Sequence, residues 1–160
     1  MFVDTTLLID LLRGKQEAIE VIRKVESRPL FTSEINVFEL IEGVYASNLK
    51  VENHLEKVFA LLTRITVLPF DRKAALEAGK ISGNLTKEGK KIGEVDCLIA
   101  GVALANGLHE IITENKEHFM RIPGLGLYLS IVLGKGIASL ILSNPQIHLM
   151  ILSTPIPNPP

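Results

Sequence analysis

Three carboxylates stand in apolar company, far apart along the chain. Asp4 follows Phe2-Val3, Glu39 sits among Val37, Phe38, Leu40 and Ile41, and Asp96 lies in Val95-Asp96-Cys97-Leu98-Ile99. A lone charge among apolar neighbours is costly to bury unless it gains a partner. A fold that gathers the three crowds like charges together. The usual neutraliser of such an all-oxygen cluster is a hard cation, Mg²⁺ or Mn²⁺.

The elements that must position them follow from periodicity. Phe2-Val3 reads as a strand stopping at Asp4, with a threonine cap at Thr5-Thr6 and a helix running to Gly14. Residues 16–27 read as a second helix, and Pro29-Leu30-Phe31-Thr32 as a second strand. Ser33 is placed to cap a helix over 35–46 that carries Glu39 and Glu42. Residues 53–63 give another helix, and Ile65-Thr66-Val67-Leu68 a strand stopped by Pro69. Asp71 caps a long helix to about Lys87, whose Ala74, Ala75, Ala78 and Gly79 suit close packing. A basic loop, Gly89-Lys90-Lys91-Ile92-Gly93, precedes a helix over 94–106. Then come a strand at 110–113, a helical turn at 116–120 and an edge strand at 127–129. Short strands alternating with helices predict an α/β fold, a mostly parallel sheet covered on both faces. Sites in such sheets lie at the carboxyl ends of the strands. Asp4 and the stretch Thr113–Asn115 fall just past strand ends, and the helices bearing Glu39 and Asp96 start near that edge.

Each residue also has a plainer role. Asp4 can be a helix-flanking acid, and Asp96 and Glu94 are both ordinary N-terminal acids of a helix. Glu39 competes with Glu42, three positions on. Thr6 either holds Asp4 through its hydroxyl or caps the helix, and Asn115 either caps the next turn or serves the site. Lys87, Lys90 and Lys91 form a solvated loop or meet a phosphate backbone. His118 reads as a surface or packing histidine and Cys97 as core.

Composition bounds the rest. With 160 residues, 47% apolar and 22% charged, the chain suits one globular domain. A net charge of −1 means that any basic surface is local. The single cysteine excludes an internal disulfide and a cysteine-based metal site. No signal peptide is expected at Met1-Phe2-Val3-Asp4. From His118 on there is no Asp or Glu, and only Arg121 and Lys135 are basic. Residues 130–160 are an apolar, proline-ended tail that is set apart from a domain over 1–129. Lys135 and Asn144-Pro145-Gln146 interrupt it, which argues against a membrane anchor.

Four blocks taken together resemble the PIN domain, most closely the VapC type of toxin ribonuclease. They are Val3-Asp4-Thr5-Thr6-Leu7-Leu8-Ile9-Asp10-Leu11-Leu12-Arg13-Gly14, Asn36-Val37-Phe38-Glu39-Leu40-Ile41-Glu42-Gly43, Ile92-Gly93-Glu94-Val95-Asp96-Cys97-Leu98-Ile99-Ala100 and Thr113-Glu114-Asn115-Lys116-Glu117-His118-Phe119-Met120-Arg121-Ile122-Pro123-Gly124-Leu125. The resemblance implies a three-layer α/β/α fold over 1–129. It favours Glu39 over Glu42 and Asp96 over Glu94. It also implies a cytoplasmic, Mg²⁺- or Mn²⁺-dependent endoribonuclease with Asp4, Glu39 and Asp96 as ligands. Thr6, Thr113 and Asn115 would orient water or phosphate, and Lys87, Lys90 and Lys91 would lie near RNA. Family members cut RNA, often tRNA, usually form homodimers and are silenced by a partner antitoxin. His118 stands where the family commonly has aspartate, and Glu114 where it often has arginine. A PIN-fold module that binds RNA or a partner with weak or lost catalysis is the alternative. A haloacid-dehalogenase-like phosphatase needs a second aspartate where this chain has Thr6.

Overall fold

The computed structural model describes residues 1–47 and 50–128. Five strands lie side by side in the order β3-β2-β1-β4-β5, and every neighbouring pair is parallel. They are β1 (Phe2–Val3), β2 (Phe31–Ser33), β3 (Thr66–Leu68), β4 (Glu110–Ile112) and β5 (Gly126–Leu127). The helices are α1 (Thr5–Leu12), α2 (Gln16–Val25), α3 (Glu34–Ala46), α4 (Val51–Leu62), α5 (Arg72–Lys87), α6 (Glu94–Ala105) and α7 (Lys116–Phe119).

The period of two along a strand decides the layers. Phe2 pairs with Ile111 and Val3 with Ile112. Phe2 and Ile111 enter one core, with α5, α6 and Phe119 of α7. Val3 and Ile112 enter the other, with residues of α1, α2, α3 and α4. The expected three-layer α/β/α architecture is therefore the observed one. On one face α5 and α6 approach closely because the residues between them are small. A Cβ added to Gly101 would stand 2.6 Å from the Ala74 carbonyl oxygen and 2.7 Å from Ala78 Cβ.

The expected elements all occur, with ends shifted by one or two residues, apart from the tail beyond residue 128, which lies outside the described residues. One shift matters for the site. Thr5 and Thr6 are not caps, since Asp4 holds the N-cap position and the two threonines open α1 itself. Ser33 caps α3 as expected, in a reciprocal box with Asn36, and Asp71 caps α5 by accepting from Ala74 N–H at 2.9 Å. No helix among the described residues is long and apolar enough to cross a membrane.

Candidate active site

The centre of the sheet carries the site. Asp4 follows β1 and Thr113 follows β4, side by side, because Val3 pairs with Ile112 and Asp4 N–H donates to the Ile112 carbonyl. Asp4 is only 3% exposed. Its Oδ2 accepts from Thr6 Oγ1 at 2.9 Å and from Thr113 Oγ1 at 2.7 Å. Both hydroxyls are committed to that task. The Glu114 N–H donates into Thr6 Oγ1 and the Asn115 N–H into Thr113 Oγ1, so each hydroxyl proton is left for the carboxylate.

The first turns of α3 bring the second acid. Asn36, fully buried, accepts from Ser33 N–H through Oδ1, which fixes its amide orientation. Its Nδ2 then donates to Thr5 Oγ1 at 2.8 Å and towards Asp4 Oδ1 at 3.4 Å. Thr5 Oγ1 in turn donates a hydrogen bond to Glu39 Oε2. Glu39 is half-buried while Glu42 is exposed, which favours Glu39. In the first turn of α6, Asp96 is the shielded acid and Glu94 the exposed one. Asn115 Nδ2 donates to Asp96 Oδ1 at 3.2 Å, and His118 Nδ1 lies 2.6 Å from Asp96 Oδ2. Asn115 holds the N-cap position of α7, but its side chain makes no cap bond and goes to Asp96 instead.

Electrostatics follow from this packing. Burial pushes the Asp4 carboxyl above the ordinary carboxylate range. The Thr113, Thr6 and Thr5 hydrogen bonds oppose that, and repulsion from Asp96 adds to it. Glu39 is raised by burial first, against the Thr5 hydrogen bond, and then by repulsion from Asp4 and Asp96. The donor set is all oxygen and mutually repelling, which suits a hard divalent cation. As the side chains stand, though, no three acids, histidines or cysteines among the described residues converge closely enough to hold one ion. Glu39 is turned to Thr5, and Asp96 to Asn115 and His118.

Asp4, Glu39, Asp96, Thr6, Thr113 and Asn115 are thus brought into one network. The lysines are not part of it. Lys87 is exposed at the end of α5, Lys90 pairs with Glu88 at 3.0 Å, and Lys91 lies 3.8 Å from Glu94. Cys97 is core, with its thiol pushed up by burial. Three members escaped the sequence reading: Thr5, Asn36 and His118. Asn36 was findable as the fourth residue of the Ser33-x-x-Asn36 box. His118 reads as a packing residue, but one turn of α7 lays it on the same side as Asn115, against Asp96. Arg13 and Lys15 also border the site, in a surface pocket of about 650 Å³ that opens beside Thr6 and Glu114.

The PIN domain family matches residues 1–125. The tRNA(fMet)-specific endonuclease VapC of Salmonella typhimurium is 34% identical over 123 residues, covering 77% of this chain and 92% of the relative. The DNA-bound VapBC structure from Salmonella typhimurium superposes with a TM-score of 0.71 at 34% identity, over 79% of this chain and 94% of that one. VapBC2 from Rickettsia felis, bound to a DNA fragment from its promoter, gives 0.72 at 26% identity, over 79% and 95%. The chain belongs to the PIN domain family and, within it, to the VapC group.

Proposed function

We propose that this protein is the ribonuclease toxin of a toxin–antitoxin pair, cutting RNA phosphodiester bonds with Mg²⁺ or Mn²⁺ held by Asp4, Glu39 and Asp96. One observation carries the reading. A continuous hydrogen-bonded chain links three acids at the carboxyl edge of a parallel sheet, and two of them are held above the ordinary carboxylate range. Such groups prefer a proton or a cation to standing bare. A bound ion of this kind lowers the pKa of a water and offsets charge on the phosphate.

The chain's own residues do the rest. Thr6 and Thr113 hold Asp4, and Thr5 holds Glu39, and on cation binding Glu39 and Asp96 would turn from their present positions towards the ion. One of the three acids takes the proton of the attacking water, directly or through a second water. Asn115, tied to Asp96, stands where it can also meet phosphate. Lys87, Lys90 and Lys91 contact RNA backbone further out. The name of the Salmonella relative supports tRNA as substrate, and the VapBC assemblies support a cognate antitoxin. A homodimer acting in the cytoplasm completes the reading. Residues 130–160 lie outside the catalytic domain of 1–129.

A PIN-fold module that binds RNA or a partner without cutting is the second reading. The observation favouring it is that no three candidate ligands converge as the side chains are placed, among the described residues. Cleavage of a mixed tRNA and single-stranded RNA pool in Mg²⁺, Mn²⁺ or EDTA separates the two. The intact chain, Asp96→Asn and a chain ending at residue 130 are run together. Metal-dependent cutting by the intact and shortened proteins, lost in Asp96→Asn, is the expected result. RNA binding with no cutting by any of the three hands the protein to the second reading.

A further inference from the structure

Asp96 is the acid whose orientation depends on a side chain of unexpected type. Its Oδ2 faces two nitrogens, His118 Nδ1 at 2.6 Å and Asn115 Nδ2 at 3.3 Å, and those nitrogens lie 3.0 Å from each other. The chemistry of these groups, rather than the distances, assigns the protons. Asn115 Nδ2 has only hydrogens to offer, and a carboxylate takes them. A bare His118 Nδ1 would set its lone pair against a carboxylate oxygen at 2.6 Å. Nδ1 therefore carries a hydrogen and donates it to Asp96. The contact between Asn115 and His118 is two donors meeting at one carboxylate, not a bond between them, with the Asn115 amide shared between Oδ1 and Oδ2. The donation holds whether the ring is neutral or charged, so it does not depend on the ring titrating.

The donor is well anchored. The next residue, Phe119, is fully buried in the core and pins α7. At the other end of the turn, the Asn115 N–H is tied to Thr113, which holds Asp4. The ring is partly shielded, with 39% of the His118 side chain exposed against 18% for Asp96. Gly93 leaves room for the carboxylate to lie there, since a Cβ at that position would stand 2.8 Å from Asp96 Oδ2.

We propose that His118 is a positioning residue for Asp96. Its Nδ1–H engages Oδ2 while the Asn115 amide lies across both oxygens, 3.2 Å from Oδ1 and 3.3 Å from Oδ2, so that α7 sets the Asp96 carboxylate relative to Asp4. This rests on the nuclease reading, and it replaces the packing role read from sequence. A group that orients a ligating carboxylate from behind typically contributes about 10–100-fold in metal affinity.

The test uses the full chain and two readouts. The first is the ¹⁵N spectrum of the histidine rings without metal, in the intact protein and in Asp96→Asn. The second is Mn²⁺ affinity by calorimetry in the intact protein, His118→Ala, His118→Asn and His118→Gln, with melting temperature recorded for each. Asparagine places its amide nitrogen about where Nδ1 sits, whereas glutamine reaches to the Nε2 position. The expected result is an Nδ1–H form that changes in Asp96→Asn, with Mn²⁺ bound about 10-fold more weakly by His118→Ala and His118→Gln. His118→Asn recovers to within about 3-fold of the intact protein, since the restored donor again orients the carboxylate. An Nε2–H form overturns the proposal. So does His118→Asn binding as poorly as His118→Ala, or unchanged Mn²⁺ affinity in His118→Ala. An intact protein with the Nδ1–H form that takes no Mn²⁺ overturns the nuclease reading instead, and the positioning role with it.

Discussion

Thr113 Oγ1 donates to Asp4 Oδ2 across 2.7 Å, joining the ends of two adjacent parallel strands through side chains 109 positions apart. The bond opposes the effect of burial on Asp4. Thr113→Val keeps the shape and removes the donor. A hydrogen bond to a charged group contributes about 1.5–3 kcal/mol. Without it the Asp4 carboxyl rises further, because its charged form loses a donor. The acid limb of the cleavage pH–rate profile then moves to higher pH, and the rate on the plateau falls. A Thr113→Val profile that overlays the parent would show that the hydroxyl does not tune Asp4.

Glu39 and Asp4 make the metal-free protein less stable as pH rises. Both carboxyls are raised in the folded state, so between the ordinary carboxylate values and the raised ones the folded chain binds more protons than the unfolded one. Their contribution is fully present below about pH 4, where both states are protonated on these groups, and it is lost as pH climbs through the raised values. In EDTA the melting temperature should therefore fall across mildly acidic pH towards neutral. Glu39→Gln flattens part of that fall and melts higher than the parent at pH 7 without metal. Mn²⁺ raises the parent's melting temperature and has much less effect on Glu39→Gln. The two proteins melting alike in EDTA at every pH would remove the electrostatic account.

Gly101 marks a close approach of α6 to α5. Its substitution by alanine sets a Cβ 2.6 Å from the Ala74 carbonyl oxygen and 2.8 Å from Ala78 N, both backbone atoms that cannot turn aside. Overpacking of this kind costs about 1–3 kcal/mol or more. The helix preference for alanine over glycine, about 1 kcal/mol, works the other way and is the smaller effect. Gly83→Ala in α5 is the control, since nothing lies within 4 Å of the added carbon. Denaturant titration should show Gly101→Ala clearly destabilised and Gly83→Ala unchanged or slightly more stable. Equal behaviour of the two would mean that α5 and α6 do not meet as described.

Much of this was legible in the chain because it is carried by repetition. Phe2, Val3, Ile111 and Ile112 point alternately into the two cores, and it is the unbroken apolar run, not an alternation of apolar with polar, that announces a strand buried on both faces. Asp4 was legible from its place at a strand end, and Ser33 and Asp71 from their places before helices. The connecting side chains were not. Thr5 reads as a cap beside an acid, yet its hydroxyl goes to Glu39, 34 positions on. His118 reads as a surface or packing histidine, yet its ring reaches Asp96, 22 positions back. Local pattern shows which face a residue takes, but not which polar group from another element waits on that face.

Gly93 offers a way to move one carboxylate while leaving the fold alone. It holds the N-cap position of α6 with φ −58° and ψ 141°, a conformation open to alanine. Substitution where the backbone is compatible is worth about 0.4–1 kcal/mol in favour of the folded state, through the unfolded chain. The new Cβ, however, falls 2.8 Å from Asp96 Oδ2 and 3.6 Å from its Cγ. Since the side chain can turn, the carboxylate yields rather than the backbone, and turning it breaks the 2.6 Å contact with His118. Glycine is the better N-cap, which offsets that gain, so Gly93→Ala should leave the melting temperature nearly unchanged while Mn²⁺ affinity and cleavage fall by about tenfold or more. That split distinguishes a displaced ligand from a damaged fold, because damage would lower all three together. Full cleavage with an unchanged Mn²⁺ affinity would mean that the site tolerates Asp96 in another orientation.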